Sequence, residues 1–180
     1  GILFIDTPGH AAFVNLRKRG GNLADIAIVV VDITEGLKPQ TIESLQVLKS
    51  YKTPFIIAAN KLDKIGGWNE PKGHLMPLLQ KQTPEVQRRI DTKMYELVGQ
   101  IYEQGFECER FDRIQDYSKQ IGIVPVCALT RVGIPELIMT LAGLTQKFLQ
   151  KNLETSVKSP AIGTIMEVKD QKGLGKIIDV

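Results

Sequence analysis

The stretch PFIIAANKLD, residues 54–63, is an apolar run that ends abruptly in polar and charged residues. A short, isoleucine-rich run of this kind is typical of a strand that is buried on both faces of a parallel sheet. Comparable apolar runs are ILFID (2–6), DIAIVVVD (25–32) and GIVPVCAL (122–129). Each of these runs is therefore predicted to be a strand.

Segments of helical character separate the runs. They are HAAFVNLRKRG (10–20), KPQTIESLQVLKSY (38–51) and GIPELIMTLAGLTQKFLQ (133–150), the last with Pro135 in its first turn. Strands that alternate with helices predict an α/β fold, in which helices flank a mainly parallel sheet.

The composition is that of an ordinary globular protein, with 180 residues, 43% hydrophobic residues, 24% charged residues and a net charge of +3. This charge is too small to argue for nucleic-acid binding by itself. The cysteines, Cys108 and Cys127, form no metal-binding pattern, and we expect free thiols in a reducing cytosol. No apolar run approaches the length that spans a membrane.

Polar residues follow several of the predicted strands. Asp6 ends the first run, Asn60 to Asp63 follow another, and Cys127 to Leu129 end the last. Ligands of open α/β sheets bind at the carboxyl ends of the strands. We therefore expect these residues to face one ligand at the same edge of the sheet.

The chemistry of NKLD (60–63) suits guanine. The Asp63 carboxylate can accept hydrogen bonds from the ring N1–H and the exocyclic amino group together, and adenine lacks that pair of donors. Asn60 can bridge the base and neighbouring loops, the Lys61 stem can lie along the base, and the Ala128 N–H can reach the guanine O6. The simpler alternative is a polar turn after a strand.

The opening stretch DTPGH (6–10) fits a phosphate site. A carboxylate such as Asp6 can hold Mg²⁺ through water, and Gly9 lets a backbone N–H approach a terminal phosphate. His10 is the candidate catalytic residue, because a polar side chain there can orient a water for attack. The alternatives are a Pro-Gly turn capped by Asp6 and a histidine that caps the next helix. His74 is predicted to be an ordinary surface residue.

Residues 64–121 form a long insertion that contains a predicted helix. Thr83 is its candidate N-cap, Pro84 its first residue and Gly105 its stop. An apolar stripe indicates a helix packed on the body, and a docking surface for a partner is the alternative. The stripe consists of Ile90, Met94, Leu97, Val98 and Ile101.

DTPGH and NKLD together resemble the motifs of translational GTPases. Longer stretches are similar to the archaeal and eukaryotic translation initiation factor 5B family, the counterpart of bacterial initiation factor 2. They are HAAFVNLRKRGGNLADIAIVVVDITEGLKPQTIESL (10–45), TPFIIAANKLDKIGGW (53–68), the segment 91–137 and AIGTIMEVKDQKGLG (161–175). The ERFDR stretch (109–113) favours this family over the bacterial branch and the elongation factors.

The resemblance implies a ribosome-dependent GTPase that binds GTP or GDP with magnesium, promotes subunit joining and favours initiator tRNA. It implies that Asp6 coordinates magnesium through water, Gly9 senses the terminal phosphate and His10 positions the hydrolytic water. The nucleotide site would comprise Asp6, Thr7, Pro8, Gly9, His10, Asn60, Lys61, Asp63, Cys127, Ala128 and Leu129. The expected partners are the large ribosomal subunit and, through domains outside this sequence, initiator tRNA. We expect a cytoplasmic monomer with no membrane partner.

The sequence departs from the family pattern. Ala11 replaces an acidic residue, Cys127 a serine and Arg131-Val132 a Gly-Glu pair. No G-x-x-x-x-G-K-[ST] phosphate loop occurs in the sequence. In the family that loop lies upstream of the run 2–6, and a further strand lies between the runs 2–6 and 25–32 in the sheet. A non-enzymatic ribosome- or partner-binding fragment is therefore the alternative function.

The predicted domain organisation has three parts. Residues 1–150 are the C-terminal portion of a GTPase-type domain, 151–160 a polar linker, and 161–180 the first hairpin of a β-barrel domain. Because the chain starts without methionine and ends within this hairpin pattern, we expect a piece of a longer protein.

Overall fold

The computed structural model describes residues 2–7, 24–69, 73–149, 167–171, 173 and 175–179. Its strands are β1 (Ala27–Asp32), β2 (Phe55–Asn60), β3 (Cys108–Arg110), β4 (Ile121–Pro125), β5 (Glu167–Gln171) and β6 (Gly175–Asp179). Its helices are α1 (Pro39–Tyr51), α2 (Leu75–Lys81), α3 (Pro84–Glu103) and α4 (Ile134–Leu149). The predicted helix over 10–20 and the linker over 151–160 lie outside the described residues.

A parallel sheet with the strand order β1-β2-β4-β3 forms the centre of the fold. β2 is paired on both edges and its residues from Phe55 to Ala59 are all buried, as its apolar run predicts. Helices α1, α3 and α4 pack against β1, β3 and β4. The prediction of an α/β fold with a parallel sheet flanked by helices is confirmed.

The predicted strand over residues 2–6 is wrong. Residues 2–7 form no helix or strand, and Leu3 and Phe4 are 83% and 64% exposed. A strand requires a hydrogen-bonded neighbour, and among the described residues β1 pairs only with β2. The family resemblance places another strand between this run and β1, and no described residue supplies it.

Helix α3 follows its sequence signals closely. The Thr83 hydroxyl accepts a hydrogen bond from the Val86 N–H at 3.4 Å, Pro84 is the first helical residue, and Gly105 adopts a φ of +81° after the helix ends. The predicted stripe faces the interior, with Ile90, Met94, Leu97 and Ile101 buried and Val98 partly buried. This stripe is therefore part of the core and not a docking surface.

The insertion also contains α2 and β3, neither of which was predicted. β3 spans only Cys108–Arg110 and carries no apolar alternation, while α2 is short and contains Pro77. Both are held by long-range contacts. For example, β3 pairs with β4, and the Arg110 guanidinium lies 3.4 Å from Asp91 in α3.

Two features complete the fold. β5 and β6 form an antiparallel hairpin, as expected for the region after residue 160, and whether it opens a β-barrel domain stays a prediction. Within the described ranges, no helix has both the length and the apolar composition needed to cross a membrane.

Candidate functional site

The loops that follow β2 and β4 are joined by backbone hydrogen bonds. The Val126 N–H donates to the Ala59 carbonyl at 2.8 Å, and the Leu62 N–H donates to the Val126 carbonyl at 3.2 Å. Leu62 is fully buried beneath this junction. The predicted convergence of NKLD and the 127–129 segment at one edge of the sheet is therefore present.

Asn60 connects the two loops through its side chain. Its Oδ1 accepts hydrogen bonds from the Lys61 N–H at 2.8 Å and from the Ala128 N–H at 3.0 Å. A single amide oxygen thus fixes the start of the NKLD loop and the exposed Ala128 relative to each other. The amide's NH₂ group still has its two donors to offer to a ligand or to other groups.

Asp63 lies in a single 3₁₀ turn, Leu62–Lys64, that directly follows β2. Its Oδ1 accepts a hydrogen bond from the Cys127 thiol at 3.2 Å. Cys127 is fully buried, whereas the Asp63 side chain is partly exposed at the edge of the sheet. A thiol in place of the family's serine therefore still holds this carboxylate in position.

Lys61 contacts a residue that sequence reasoning missed. Its ammonium lies 2.7 Å from the Oδ2 of Asp32, the last residue of β1, whose Cα is paired with Asn60 in the parallel register. Burial would raise the pKa of Asp32, but hydrogen bonds from Lys61 and Thr34 outweigh it and lower the pKa to about 2. The sequence contains a pattern that could have predicted this role, because Asp32 ends a predicted strand just as Asp6 does.

The segment after β4 closes into a tight turn. The Cys127 N–H donates to the Val132 carbonyl at 2.9 Å, and Arg131 adopts a φ of +66°. Gly133, with a φ of +80°, lies so close to β4 that an added Cβ would sit 2.2 Å from the Pro125 carbonyl oxygen. The turn leaves Leu129 85% exposed beside the NKLD loop.

The opening motif is only partly described. Asp6 is exposed and Thr7 partly exposed within residues 2–7, while Pro8, Gly9 and the candidate catalytic His10 lie outside the described residues. The described part of the chain contains no group of three acidic, histidine or cysteine side chains that could hold a metal ion. The roles of these residues therefore stay predictions.

His74 has an exposed side chain, as predicted, but it is not isolated. Its Nδ1 lies 3.8 Å from the Oε1 of Glu136, a buried residue of α4. The same oxygen accepts a hydrogen bond from the Leu75 N–H at 2.9 Å, at the start of α2. Glu136 thus holds the insertion against α4.

The model of the elongation factor Tu GTP-binding domain family matches residues 1–147. The chain belongs to this family. The strand-end cluster, defined as Asn60, Lys61, Asp63 and Cys127 to Leu129, lies within this matched range. Its role in nucleotide binding stays a prediction.

The chain is similar over its whole length to archaeal proteins. The chain is 57% identical over 183 residues to the probable translation initiation factor IF-2 of Methanosarcina acetivorans and 51% identical over 181 residues to that of Thermococcus onnurineus, covering 30% of each. A crystal structure of GDP-bound aIF5B from Aeropyrum pernix superposes with a TM-score of 0.86 at 50% identity, covering 99% of this chain and 30% of that one. The resemblance to the initiation factor 5B family is confirmed, and the chain spans about 30% of the length of these relatives.

Proposed function

We propose that the strand-end cluster binds the guanine base of GTP or GDP and that the intact protein is a translation initiation GTPase. The observation that carries the proposal is the fixed arrangement of Asn60 and Asp63 at the joined ends of β2 and β4. The GDP-bound relative from Aeropyrum pernix supports the choice of ligand.

Asp63 provides the base specificity in this proposal. A carboxylate acceptor matches the N1–H and amino donors of guanine, and the hydrogen bond from Cys127 fixes its direction before the ligand arrives. The exposed Ala128 and Leu129 would lie beside the guanine O6. The Ala128 N–H donates to the Asn60 Oδ1 in this structure, so it would have to share or leave that bond to reach the O6. Preorganised polar groups of this kind give discrimination because a wrong base leaves them unpaired.

The phosphate end of the ligand is assigned to the opening motif. The exposed Asp6 carboxylate would hold magnesium through water, with Thr7, Pro8 and Gly9 beside the phosphates and His10 positioning the water for hydrolysis. Magnesium commonly takes one or two carboxylates and completes its shell with phosphate oxygens and waters. Asp6 fits that mode even though the described residues offer no three-ligand cluster.

The wider role rests on the relatives. Because they are named translation initiation factors, we propose that the intact protein acts in the cytoplasm as a monomer, on the large ribosomal subunit. There it would promote subunit joining and the placement of initiator tRNA. Residues 1–150 would serve as the nucleotide-binding part and residues after 160 as the start of a β-barrel domain.

A calorimetric titration of the 180-residue chain with GDP and Mg²⁺ tests the ligand assignment. We expect saturable binding of GDP and none of ADP, since adenine lacks the donor pair that Asp63 accepts. Absence of GDP binding, or equal affinity for ADP, would contradict a functional guanine site in this chain.

The Asp63→Asn variant sharpens that test. An amide in place of the carboxylate offers a donor as well as an acceptor, so we expect preference to change from guanine to xanthine nucleotides. Glu103→Gln removes one carboxylate from the exposed end of α3 and serves as the matched control. If the Asp63→Asn chain prefers GDP over XDP by the wild-type margin, the assignment of Asp63 is wrong.

A further inference from the structure

The conformation of Lys61 is unusual for a residue with a long side chain. Its φ of +68° and ψ of +38° lie in the left-handed region, which costs an ordinary residue about 1 kcal/mol. This backbone turns the side chain back towards β1, where the ammonium meets Asp32 at 2.7 Å. A strained residue with a defined side-chain partner, next to a ligand site, indicates a positioning role.

Asp32 is fixed independently of Lys61. Its Oδ1 accepts hydrogen bonds from the Thr34 N–H at 2.9 Å and from the Thr34 hydroxyl at 2.6 Å, which leaves Oδ2 directed at the lysine. The Asp32 side chain is only 14% exposed, compared with 53% for Lys61. The acid is therefore the rigid member of the pair, and the flexible lysine is held by it.

The other acids near Lys61, Glu35 and Asp63, act on its ammonium through space, but less strongly than Asp32 does. Glu35, the other acid in the turn after β1, lies 3.4 Å from Lys38. Asp63 accepts a hydrogen bond from the Cys127 thiol. Asp32 is thus the carboxylate that engages the Lys61 ammonium.

The contact connects to the rest of the strand-end cluster. The Lys61 N–H donates a hydrogen bond to the Asn60 Oδ1, and the same oxygen accepts a second hydrogen bond from the Ala128 N–H. Asp32, Lys61, Asn60 and Ala128 therefore form a continuous chain of contacts across the ends of β1, β2 and β4. This chain links Asp32 to the residues assigned to the base without placing Asp32 itself on the base.

We propose that Asp32 is a positioning residue of the nucleotide site, which holds the Lys61 ammonium so that the four-carbon stem forms a prearranged apolar surface for the purine ring. This inference rests on the proposed function. A free lysine must lose substantial side-chain freedom when a ligand orders it, and a lysine already held by Asp32 loses less. Methylene groups pack equally well on any purine, so Asp32 governs affinity and Asp63 governs the choice of base.

The test combines Asp32→Asn with Lys61→Met, which keeps an unbranched apolar stem but removes the charge. We expect Asp32→Asn to weaken GDP binding about 5- to 10-fold, the usual scale for losing preorganisation of one long side chain. The ratio of GDP to IDP affinity should stay at its wild-type value. In the Lys61→Met background the same change should alter affinity less than about 2-fold, because the two residues act as one unit.

The control is Glu35→Gln, which removes one carboxylate from the same turn. We expect it to change GDP affinity less than about 2-fold, since it does not contact Lys61. Equal losses from Asp32→Asn in both backgrounds would show a general structural effect and overturn the inference. An unchanged affinity of Asp32→Asn for GDP would also overturn it, as would an equal loss of GDP affinity in Glu35→Gln.

A second measurement separates this inference from the proposed function. In ¹³C spectra of the nucleotide-free chain, the Asp32 carboxyl should titrate with a pKa of about 2, below its usual 3.8, and Lys61→Met should raise that pKa. An Asp32 pKa that Lys61→Met leaves unchanged would refute the ion pair itself. An ion pair confirmed in a chain that binds no GDP would instead refute the proposed function, and with it the positioning role.

Discussion

Two apolar runs of similar composition adopt different structures in this molecule. FIIAAN (55–60) forms the central strand β2, with neighbours on both edges and a cluster of polar residues at its end. ILFID (2–6) forms no strand, and its side chains are exposed. The difference shows that an apolar pattern specifies a strand only when another strand lies beside it, because backbone groups need partners.

The same difference divides the candidate site. The residues after β2 are held by contacts from β1 and β4, namely Asp32, Cys127 and the Ala128 N–H. Asp6, after the run 2–6, lies in a segment without regular structure. The half of the candidate site proposed for the base is therefore held by tertiary contacts. In the half proposed for magnesium and phosphate, the described residues Asp6 and Thr7 lie outside any helix or strand.

Truncating one side chain in each run gives the largest expected effect. Ile57→Ala in β2 should lower the free energy of unfolding by about 4 kcal/mol, since Ile57 is fully buried and a cavity would remain. Leu3→Ala should change it by less than about 0.5 kcal/mol, because Leu3 is 83% exposed. Urea unfolding measures both. A large loss for Leu3→Ala would show that the run 2–6 is packed after all.

The tight turn after β4 requires a glycine at position 133. Gly133→Ala should lower the free energy of unfolding by about 3 kcal/mol, because the φ is positive and the new Cβ would collide with the Pro125 carbonyl oxygen. Gly143→Ala, in α4 with no atom within 4 Å of the new Cβ, is the control and should raise stability by up to about 1 kcal/mol. Equal effects at both glycines would rule out the close approach at Gly133.

Removing the Asn60 side chain should separate the two loops. Asn60→Ala leaves the Lys61 and Ala128 N–H groups without their acceptor, at a cost of about 2 kcal/mol and with faster hydrogen exchange of the Ala128 amide. Asn60→Asp retains an acceptor oxygen and should keep the Ala128 amide protected. Unchanged exchange in Asn60→Ala would mean that this hydrogen bond does not hold the loops together.

The smallest effect concerns acid stability. The pKa of Asp32 is lowered from 3.8 to about 2 in the folded chain, so its contribution is present above pH 4 and is lost as the pH falls towards 2. We expect a loss of about 1 kcal/mol over that range, because the exposed Lys61 partner is screened by water. Urea unfolding at several pH values should show an acid loss about 1 kcal/mol smaller in Asp32→Asn than in the wild type and in the control Asp25→Asn, since Asp112 and Asp116 also have lowered pKa values. An identical acid loss in Asp32→Asn would contradict the lowered pKa.

The sequence by itself determined the α/β class, the helices α1, α3 and α4, and the strands β1, β2 and β4, because long periodic segments and their caps carry local signals. It also indicated that NKLD and the 127–129 segment would meet, since parallel strands end at one edge. β3 and α2 were not predictable, because each is short and is held mainly by contacts with distant residues.

Only the tertiary structure decided which partners the site residues have. The Asp32–Lys61 contact, the Asn60 bridge to Ala128 and the Cys127–Asp63 hydrogen bond join residues that are between 29 and 68 positions apart or depend on strand register. It also decided that the run 2–6 is not a strand. In each case the outcome depends on what lies beside a residue in space, and no local pattern contains that information.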